Sequence, residues 1–360
     1  MRAVIALSGG VDSSVAAALL AESGHEVVAV TLVQWLPLAG CERRGCGCGD
    51  LEDARQVAAH LGIEHRVFDY TEVFREGVVE PFAAAYRRGL TPNPCIECNR
   101  RVRFGALLEE AVRLGCDMLA TGHHARIRRD EGGFHLLRGA DPDKDQSYVL
   151  FMLGQEQLSR LAFPVGEMTK GEVRRRARAL GLPSAERPES QDLCFAGPEG
   201  YRAFLRERFP EADRSGPIVD TAGREIGRHA GVEGFTVGQR RGLGIAGGEP
   251  RYVLEVDPVG ATVVVGGAAD LAAAGCRMGQ TSWVAGAPPA GGGLEVKLRY
   301  RSPAVAAHLE PAGEGEWVIG FAEPQRAVTP GQAVVLYRGD EVIGGGTILA
   351  PLGGWRTGGA

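Results

Sequence analysis

Residues 4–13 of the chain, VIALSGGVDS, decide its fold class, and the segment SVAAALL at residues 14–20 follows them directly. The apolar start is typical of a buried strand, the glycine-containing centre of a turn, and the alanine-rich end of a helix. Two glycines let backbone N–H groups turn toward an anion, and the positive end of the helix dipole favours a bound phosphate. The stretch therefore predicts a strand, a phosphate-binding loop and a helix. An ordinary strand-to-helix turn is the alternative.

The loop predicts an adenine nucleotide as ligand and adenylation as the chemistry. It lacks the G-x-x-x-x-G-K-[ST] pattern, and with it the lysine that steadies a transferring terminal phosphate. Asp12 and Ser13 instead offer oxygen atoms suited to hold a pyrophosphate together with Mg²⁺. We therefore expect the α-phosphate of ATP to react, rather than the γ-phosphate.

The composition is that of a globular protein with more than one domain. The chain has 360 residues, of which 44% are hydrophobic, enough for two or three cores. Ser8 and Asp12 interrupt the apolar N-terminal run, and no segment reaches the roughly 20 apolar residues of a membrane span. We therefore expect a cytoplasmic protein without membrane contact. The formal net charge of -5 argues against non-specific coating of nucleic acids, although local basic faces remain compatible with it.

The arrangement of elements predicts an α/β fold. The first half alternates short β-branched runs with helical segments, as in a doubly wound, Rossmann-like parallel sheet. Ligands collect beyond the carboxyl ends of such strands, so the Ser8 loop, Leu32 and Gly122 should line one crevice. After about residue 215, valine-rich runs separated by Gly, Pro and Asp predict strands. The expected domains are an N-terminal domain at 1–199, a small central β domain at 200–272 and a C-terminal β-barrel at 273–360.

Three cysteines stand in two polar motifs. The first is Thr91-Pro92-Asn93-Pro94-Cys95-Ile96-Glu97-Cys98-Asn99, a C-x-x-C just ahead of a helix predicted from Arg103, and the second is Ser190-Gln191-Asp192-Leu193-Cys194-Phe195. Eight cysteines in 360 residues are too few for a disulfide scaffold, which favours metal binding or catalysis in a reducing compartment. A helix N-terminus with Arg100 and Arg101 nearby would lower a thiol pKa. Unrelated buried cysteines are the alternative.

The chain resembles the family of tRNA-specific 2-thiouridylases, bacterial enzymes that replace the C2 oxygen of the wobble uridine with sulfur. The resemblance covers nearly the whole chain. It rests on these motifs, in order: Ser8 to Ser13, Thr91 to Asn99, Thr121 to His123, Leu136 to Gly139, Lys144 to Tyr148, Phe163 to Gly166, Ser190 to Phe195, Thr236 to Gly244, Lys297 to Arg301, and Val328 to Gln332. It implies that the N-terminal domain is an adenine nucleotide α-hydrolase-like PP-loop domain and that both β domains contact tRNA.

The resemblance also implies a reaction. ATP binds to a loop made of Ala6, Leu7, Ser8, Gly9, Gly10, Val11, Asp12 and Ser13, with Leu32 and Gly122 at the nucleotide. Attack by the uridine C2 oxygen on the α-phosphate gives an O-adenylated base and pyrophosphate. Cys194 carries a persulfide whose sulfur attacks C2, and Cys98 resolves the persulfide by forming a disulfide as AMP departs.

Cys95 departs from the family pattern, because many members carry Asp there, proposed as an acid or base acting on the uridine. With Cys95, Cys98 and Cys194, this chain instead offers three thiolate ligands for a [4Fe–4S] cluster with one iron open to an extra sulfide. The cluster would then carry the sulfur in place of the Cys194 persulfide. The sequence leaves both versions open, whereas a structural zinc would want a fourth protein ligand.

A wobble uridine swung out of the anticodon loop meets Asn93, Pro94 and Cys95 according to the resemblance. The further implied tRNA contacts are His123, Lys144, Asp145, Gln146, Arg299, Tyr300 and Gln332. A core histidine is the alternative for His123, and a turn-forming aspartate for Asp145. The implied partners are the tRNAs for Lys, Glu and Gln and a sulfur donor, which is a cysteine desulfurase, a relay protein or inorganic sulfide.

The remaining cysteines receive no catalytic assignment. Cys41, Cys46 and Cys48 lie in a glycine-rich segment that we interpret as an exposed loop rather than a metal site, and Cys116 and Cys276 are expected in the core.

Two other functions would use the same loop. An ATP-dependent amidating ligase needs an ammonia source and has no use for three thiols. An RNA-binding protein with a degenerate nucleotide loop would not need the intact Asp12 and Ser13. ATP–pyrophosphate exchange with and without tRNA separates these hypotheses.

Overall fold

The computed structural model describes residues 1–35, 48–188, 193–197, 200–208, 214–245 and 249–353. Within these ranges the chain forms a parallel sheet flanked by helices, a four-stranded sheet and a barrel. The predicted α/β class is confirmed. The interpretation of Cys41 and Cys46 lies outside the described residues, as do the side chain of Cys48 and the motif residues Ser190, Gln191 and Asp192.

The strands of the N-terminal part are β1 (Arg2–Ala6), β2 (Glu26–Val33), β3 (Glu64–Asp69), β4 (Met118–Ala120), β5 (Ala125–Asp130), β6 (Gly133–Arg138) and β7 (Leu161–Ala162). Its helices are α1 (Val11–Glu22), α2 (Cys48–Leu61), α3 (Thr71–Phe74), α4 (Glu80–Arg87), α5 (Pro94–Glu97), α6 (Leu107–Arg113), α7 (Gln155–Leu158) and α8 (Lys170–Ala179), with π-helical turns at Arg75–Val79 and Cys98–Ala106 and a 3₁₀ turn at Ser147–Val149.

The later elements are mostly strands. They are α9 (Gly200–Arg208), β8 (Gly216–Val219), β9 (Glu225–His229), β10 (Tyr252–Asp257), β11 (Thr262–Gly266), β12 (Ala272–Trp283), β13 (Leu294–Lys297), β14 (Val305–Gly313), β15 (Glu316–Arg326), β16 (Ala333–Arg338) and β17 (Glu341–Leu352), with 3₁₀ turns at Val232–Gly234 and Ala269–Leu271.

The parallel sheet has the strand order β3-β2-β1-β4-β7. Helices α1, α2 and α8 cover one of its faces, where Ala16 and Ala17 on α1 are fully buried. Small alanine side chains let this helix lie close to the strands, and burial of apolar surface is the main force that holds the layers together. The packing of this alanine-rich helix on the strands explains the βαβ pattern predicted for the first part of the chain.

The second face of the parallel sheet packs against α6 and the barrel. Val4 and Val28 from the sheet share one buried cluster with Leu107, Tyr148 and Tyr337. The Tyr148 hydroxyl donates to the Ala333 carbonyl at 2.8 Å, and the hydroxyls of Ser147 and Tyr337 are 3.2 Å apart. The barrel therefore shares a hydrophobic core with the N-terminal parallel sheet.

An antiparallel hairpin, β5–β6, leaves the N-terminal domain and extends the barrel sheet, which the sequence did not predict. Val342 pairs with Leu136, and the full order of this sheet is β12-β15-β14-β13-β16-β17-β6-β5. Additional pairing between β12 and β17 closes the first six strands into the barrel. The backbone hydrogen bonds between β6 and β17 connect the N-terminal domain to the barrel. They also provide partners for N–H and C=O groups at this edge of β17.

The central sheet has the order β10-β11-β8-β9 and its own small core, which contains Ile218, Val253 and Val263. The helix α9 precedes it. The stretch from residue 200 therefore combines one helix with the strands expected of the β-rich central domain.

The helix predicted from Arg103 begins earlier. Pro94 occupies the first helical turn, where its missing N–H costs nothing, and the Asn93 side chain accepts from the Cys95 N–H at 3.1 Å. The chain continues through the π-helical turn into α6. Both cysteines of the C-x-x-C motif thus lie within helical turns, not ahead of them.

Among the described residues, none of the helices combines the length and the apolar composition needed to cross a bilayer.

Candidate functional site

The glycine loop follows β1 at the carboxyl edge of the parallel sheet. Gly9 adopts a φ of 73°, and Gly10 precedes α1 without a side-chain hydrogen bond that caps the helix. The loop is closed by Ser13, whose Oγ accepts from the Ser8 N–H at 3.2 Å and donates to the Gly10 carbonyl at 3.0 Å. The first turn of α1 therefore presents backbone N–H groups and the positive end of the helix dipole to an anion.

Neighbouring strands bring Leu32 and Gly122 to this loop. The Thr31 hydroxyl, just before Leu32, donates to the Leu7 carbonyl at 2.7 Å. A Cβ on Gly122 would lie 2.5 Å from the Ser13 nitrogen, so only glycine allows this approach of the two backbones. The carboxyl ends of β1, β2 and β4 thus converge where the sequence predicted a crevice.

Two residues that the sequence analysis did not name complete the loop. Lys170, the first residue of α8, donates to both carboxylate oxygens of Asp12 at 2.8 and 2.7 Å, and His124 Nε2 lies 3.1 Å from Oδ1. Burial disfavours the charge on Asp12, but the hydrogen bonds from His124 and Lys170 outweigh it and lower the pKa of this carboxyl. The only signal in the sequence was the capping box Thr169–Glu172, which starts the helix that carries Lys170.

Cys98 lies beside the same sheet edge. It is buried, and Gln34, directly after β2, donates from Nε2 to its sulfur at 3.5 Å. Cys95, one helical turn earlier, is exposed. Gln34 is a third residue of the site that the sequence did not reveal, because an isolated glutamine carries no motif.

Cys194 is held near Cys98 by its neighbours in the sequence. Phe195 belongs to the same buried cluster as Cys98, and Leu193 packs against that cluster. Phe195 contacts the aromatic rings of Trp35, Phe74, Phe82 and Phe204 at centroid distances of 6.4, 5.8, 5.3 and 5.1 Å. The structure thus brings together the two motifs that carry the predicted catalytic cysteines, on the edge that holds the glycine loop.

Arg103 is a cation shared by the three cysteines. Its Nη1 donates to Asn99 Oδ1 at 2.9 Å, and the buried Asn99 donates in turn to the Val149 carbonyl at 3.0 Å. The negative charge of the Cys98 thiolate, followed by those of Cys194 and Cys95, outweighs burial and raises the pKa of Arg103. Arg103 is therefore positioned to stabilise thiolates.

The surroundings of Cys194 oppose its ionisation. Although part of its surface reaches solvent, the protein around it removes water from the thiolate and, together with the charge of Cys98, raises the pKa of Cys194 to about 12 in spite of Arg103. Cys95 is also partly accessible, yet the protein around its sulfur displaces water and raises the pKa of this thiol. The charge of Arg103 favours the thiolate form of both cysteines, which is the reactive form.

In the part of the chain that the structure describes, no three side chains of His, Cys, Asp or Glu are grouped so that they could hold a metal ion. Cys95, Cys98 and Cys194 are all described and are free thiols. Within the described residues, these three cysteines therefore do not by themselves form such a group.

His123 lies inside the protein. It is 7% exposed, packs between the rings of Phe104 and Phe163, and its Nδ1 lies 2.7 Å from the Thr121 hydroxyl. Burial, with a smaller contribution from Arg103, lowers the pKa of His123 to about 3. The packing is that of a neutral core histidine, the alternative that the sequence left open.

The segment Lys144 to Gln146 is tied to the nucleotide loop. Asp145 Oδ1 accepts from the N–H groups of Gly139 and Ser147 at 3.1 and 3.0 Å, which is the turn-forming arrangement. Gln146 Oε1 accepts from the His124 N–H at 2.8 Å. Lys144 donates its backbone N–H to the Asp141 carbonyl at 3.1 Å.

The predicted contacts from the barrel meet the C-x-x-C segment. Gln332 donates from Nε2 to the Thr91 carbonyl at 2.9 Å, so it supports the loop that leads to Asn93 and Pro94. Arg299 donates to the Ala327 carbonyl at 2.8 Å, and Tyr300 packs against Tyr148 at a centroid distance of 6.3 Å.

Two cavities among the described residues are lined by several arginine or lysine side chains. One, of about 430 Å³, lies between the hairpin and the barrel and is lined by Arg126, Arg138 and Lys297 together with Asp145 and Asp340. The other, of about 620 Å³, is lined by Arg202, Gln239, Arg240, Arg241 and Gly242. Both present guanidinium groups of the kind that bind phosphate.

Comparison with known families finds three matching models in order along the chain. They are the tRNA methyl transferase HUP domain at residues 1–198, the tRNA methyl transferase PRC-barrel domain at 202–267 and the aminomethyltransferase beta-barrel domain at 273–348.

Similar proteins include three named tRNA-specific 2-thiouridylase MnmA. The protein of Chloroflexus aurantiacus is 51% identical over 352 residues, which cover 97% of this chain and 98% of that protein. The protein of Sorangium cellulosum is 49% identical over 359 residues and covers 98% and 93%, and that of Acidithiobacillus ferrooxidans is 48% identical over 350 residues and covers 96% and 98%.

Two solved structures align with part of this chain at low sequence identity. A 4-thiouridine synthetase in complex with RNA and ATP aligns with a TM-score of 0.37 at 18% identity, over 58% of this chain and 50% of that one. An NMN synthetase from Francisella tularensis aligns with a TM-score of 0.31 at 18% identity, over 54% and 68%.

Proposed function

The chain belongs to the family of tRNA-specific 2-thiouridylases, and from this membership we propose that it converts the wobble uridine of tRNA to 2-thiouridine with ATP. It is a sulfurtransferase that adenylates the C2 oxygen of the uridine and then replaces that oxygen with sulfur. One observation carries the assignment to this site: Cys98 and the residues that flank Cys194 share one buried cluster at the sheet edge that ends in the glycine loop.

The first step takes place at the glycine loop. The uridine C2 oxygen attacks the α-phosphorus of ATP, the bond to the bridging oxygen breaks, and pyrophosphate leaves with the electron pair. The residues proposed to hold the nucleotide are those from Ala6 to Ser13, with Leu32 and Gly122. The N–H groups of α1 support this proposal, because they favour negative charge on the phosphates.

The second step uses the cysteines. The terminal sulfur of a Cys194 persulfide attacks C2, and Cys98 attacks the sulfur of Cys194 that remains attached to the protein. The S–S bond of the persulfide breaks, AMP leaves, and a Cys98–Cys194 disulfide forms, which a thiol reductant must open before the next turnover. Arg103 supports this sequence because its charge favours the thiolates. Cys95 is proposed to lie beside the target uridine, and the persulfide route gives it no bond to form or break.

The tRNA is proposed to lie across all three domains, at 1–199, 200–272 and 273–360. Its flipped uridine would meet Asn93, Pro94 and Cys95. The resemblance implies His123, Lys144, Asp145, Gln146, Arg299, Tyr300 and Gln332, of which Lys144, Gln146, Arg299, Tyr300 and Gln332 are proposed to touch the tRNA directly. The buried packing of His123 and Asp145 makes them positioning residues for the segments around them, whereas the arginines of the two cavities are suited to phosphates.

The proposed substrates are the tRNAs for Lys, Glu and Gln. The proposed sulfur donor is a cysteine desulfurase or a relay protein, with inorganic sulfide as the donor for a cluster-based route. The activity is proposed to be cytoplasmic, and tRNA as the proposed substrate supports this.

Mg²⁺ is proposed to accompany ATP. The carboxylate of Asp12 is the type of ligand that Mg²⁺ prefers. The positive charge of Mg²⁺ would neutralise part of the charge on the phosphates. The cluster-based route receives less support than the persulfide, because the three cysteines do not form a metal-binding group in the described residues. Iron and sulfide analysis after anaerobic purification tests this, and stoichiometric iron bound by Cys95, Cys98 and Cys194 would overturn the persulfide route.

The experiment that tests the function is thiolation of a tRNA transcript with ATP, a persulfide donor and reductant, followed by mass spectrometry of the nucleosides. We expect 2-thiouridine, AMP and pyrophosphate in equal amounts. Cys194→Ser and Cys98→Ser should abolish 2-thiouridine while ATP–pyrophosphate exchange with tRNA persists, whereas Cys276→Ser, buried in the barrel, is the matched control. Product formation from ammonia instead of sulfur would identify an amidating ligase, which the named relatives do not favour.

A further inference from the structure

Lys170 contacts the glycine loop although it lies 158 residues away from Asp12 in the sequence. It is one of only three lysines in the chain. Its side chain is 11% exposed, and the ammonium group binds both oxygens of Asp12, in the first turn of α1.

The position of Lys170 is costly for a cation unless an anion is present. The N-terminus of a helix carries partial positive charge, which favours anions and repels an ammonium group. Burial removes water from the same group, and a buried ion pair recovers this cost only in part. Asp12 supplies a single negative charge, whereas the ammonium group and the positive end of the helix dipole together carry more than one positive charge. The arrangement therefore suits a site in which a second, more highly charged anion is the regular occupant.

The backbone around Lys170 keeps it in place. Thr169 and Glu172 form a capping box at the start of α8, and the Lys170 N–H donates to Asp141 Oδ2 at 2.8 Å. The Cα of Lys170 is thus fixed, so the ammonium group can change partner only by rotation within its four-carbon side chain. His124 also contacts Asp12 Oδ1 at 3.1 Å, so the carboxylate keeps a partner when the ammonium group leaves it.

We propose that Lys170 is the phosphate-binding lysine of this site. Asp12 holds its ammonium group while no nucleotide is bound, and the β- and γ-phosphates of ATP take it over. Lys170 then stabilises the negative charge that develops on pyrophosphate as the bond between the α-phosphorus and the bridging oxygen breaks. It thereby performs the task of the lysine that the loop's own sequence lacks. The proposal rests on the proposed use of ATP and adds the residue that holds its leaving group.

The first test compares ATP with AMP by isothermal titration calorimetry of the full chain. Lys170→Met should weaken ATP binding by about 10- to 100-fold, the effect of losing a charge-assisted hydrogen bond, and should leave AMP binding within about twofold. Lys170→Arg should recover most of the loss. The matched control is Arg175→Met, on the exposed face of the same helix, which should change neither. Equal weakening of ATP and AMP, or an unchanged ATP affinity, would overturn the proposal.

A second measurement uses the wild-type protein, so that a variant that fails to fold does not decide the matter. With ¹³Cε-labelled lysine, the NMR spectrum contains one set of signals for each of the three lysines. Pyrophosphate should shift the signal of Lys170, which its loss in Lys170→Arg identifies, and AMP should not. A Lys170 signal that ignores pyrophosphate contradicts the proposal. Wild-type protein that binds neither ATP nor pyrophosphate contradicts the proposed function as well, which separates the two failures.

Discussion

At the scale of single residues, Gly122 shows how tightly the nucleotide loop is built. A Cβ at this position would lie 2.5 Å from the Ser13 nitrogen and 2.7 Å from the carbonyl carbon of Asp12. Both atoms are backbone, so the conflict cannot be relieved by turning a side chain. The loop must move if Gly122 is replaced.

We therefore expect Gly122→Ala to weaken ATP binding at least tenfold and to lower stability by about 1–3 kcal/mol, the typical cost of overpacking. Calorimetric titration with ATP and thermal unfolding measure the two effects. Gly234→Ala, where a Cβ meets nothing within 4 Å, is the control. An ATP affinity equal to that of the wild type would show that the two backbones do not approach each other in solution.

Arg103 carries a second prediction at this scale. Because its charge opposes the burial that raises the pKa of Cys194, Arg103→Met should raise that pKa further. Alkylation of Cys194 by iodoacetamide, followed by mass spectrometry across pH 7 to 10, should slow by about tenfold for each unit by which the pKa rises. Arg101→Met removes a cation that instead pairs with Glu97 at 3.0 Å and should leave the pH profile unchanged. A wild-type profile for Arg103→Met would exclude its electrostatic role.

At the scale of elements, the β5–β6 hairpin joins the nucleotide-binding domain to the barrel. His135 on β6 lies 2.7 Å from Glu341 on β17 and 2.8 Å from Asp130 on β5. Hydrogen bonds to Glu341 and Asp130 raise the pKa of His135 above its ordinary value. The charged imidazole therefore stabilises the junction.

This shift makes stability depend on pH. The contribution of His135 is complete below its unfolded-state pKa of about 6.5 and is lost as the pH rises through the higher folded-state value. The charges that face it are Asp130, Glu341 and Arg128. We expect His135→Gln to lower the melting temperature by about 1–2 °C at pH 6 and by less at pH 9, consistent with about 0.5–1 kcal/mol for a partly exposed ion pair. A difference that does not shrink with rising pH would disprove the linkage.

At the scale of the whole molecule, basic side chains extend beyond the nucleotide-binding domain. Arg202 of α9 donates to Gln239 at 3.0 Å and, with Arg240 and Arg241, lines the cavity of the central domain. The overall charge of -5 means that any attraction for tRNA must come from such local groups.

The double variant Arg240→Ala/Arg241→Ala should therefore weaken tRNA binding. It should also reduce the slope of log Kd against log salt concentration by about 1–2, because tRNA binding then neutralises fewer phosphates and releases fewer counterions. Filter binding over a range of salt concentrations measures the slope. ATP affinity should not change. Arg228→Ala, in the same domain but paired with Glu225 at 3.1 Å, is the control. An unaltered slope would remove this cavity from the tRNA path.

The sequence by itself determined the α/β class, the glycine loop and the residues of the two cysteine motifs. These follow from local physics: apolar runs choose strand or helix, glycine permits a φ of 73° at Gly9, and the capping box Thr169–Glu172 starts α8. The start of the helix at Pro94 was not predicted, because Pro92 and Pro94 suit a turn or extended backbone as well as the first turn of a helix.

Only the tertiary structure decided which distant residues meet. Lys170 and Asp12 are 158 residues apart, Gln332 and Thr91 are 241 apart, and the β5–β6 hairpin pairs with β17 near the end of the chain. No local pattern encodes these contacts, because each depends on how apolar faces from separate segments pack into one core. The same packing decided that His123 is buried between Phe104 and Phe163 and that the charge of Arg103 acts on the three thiols, since both depend on the neighbours that the fold supplies.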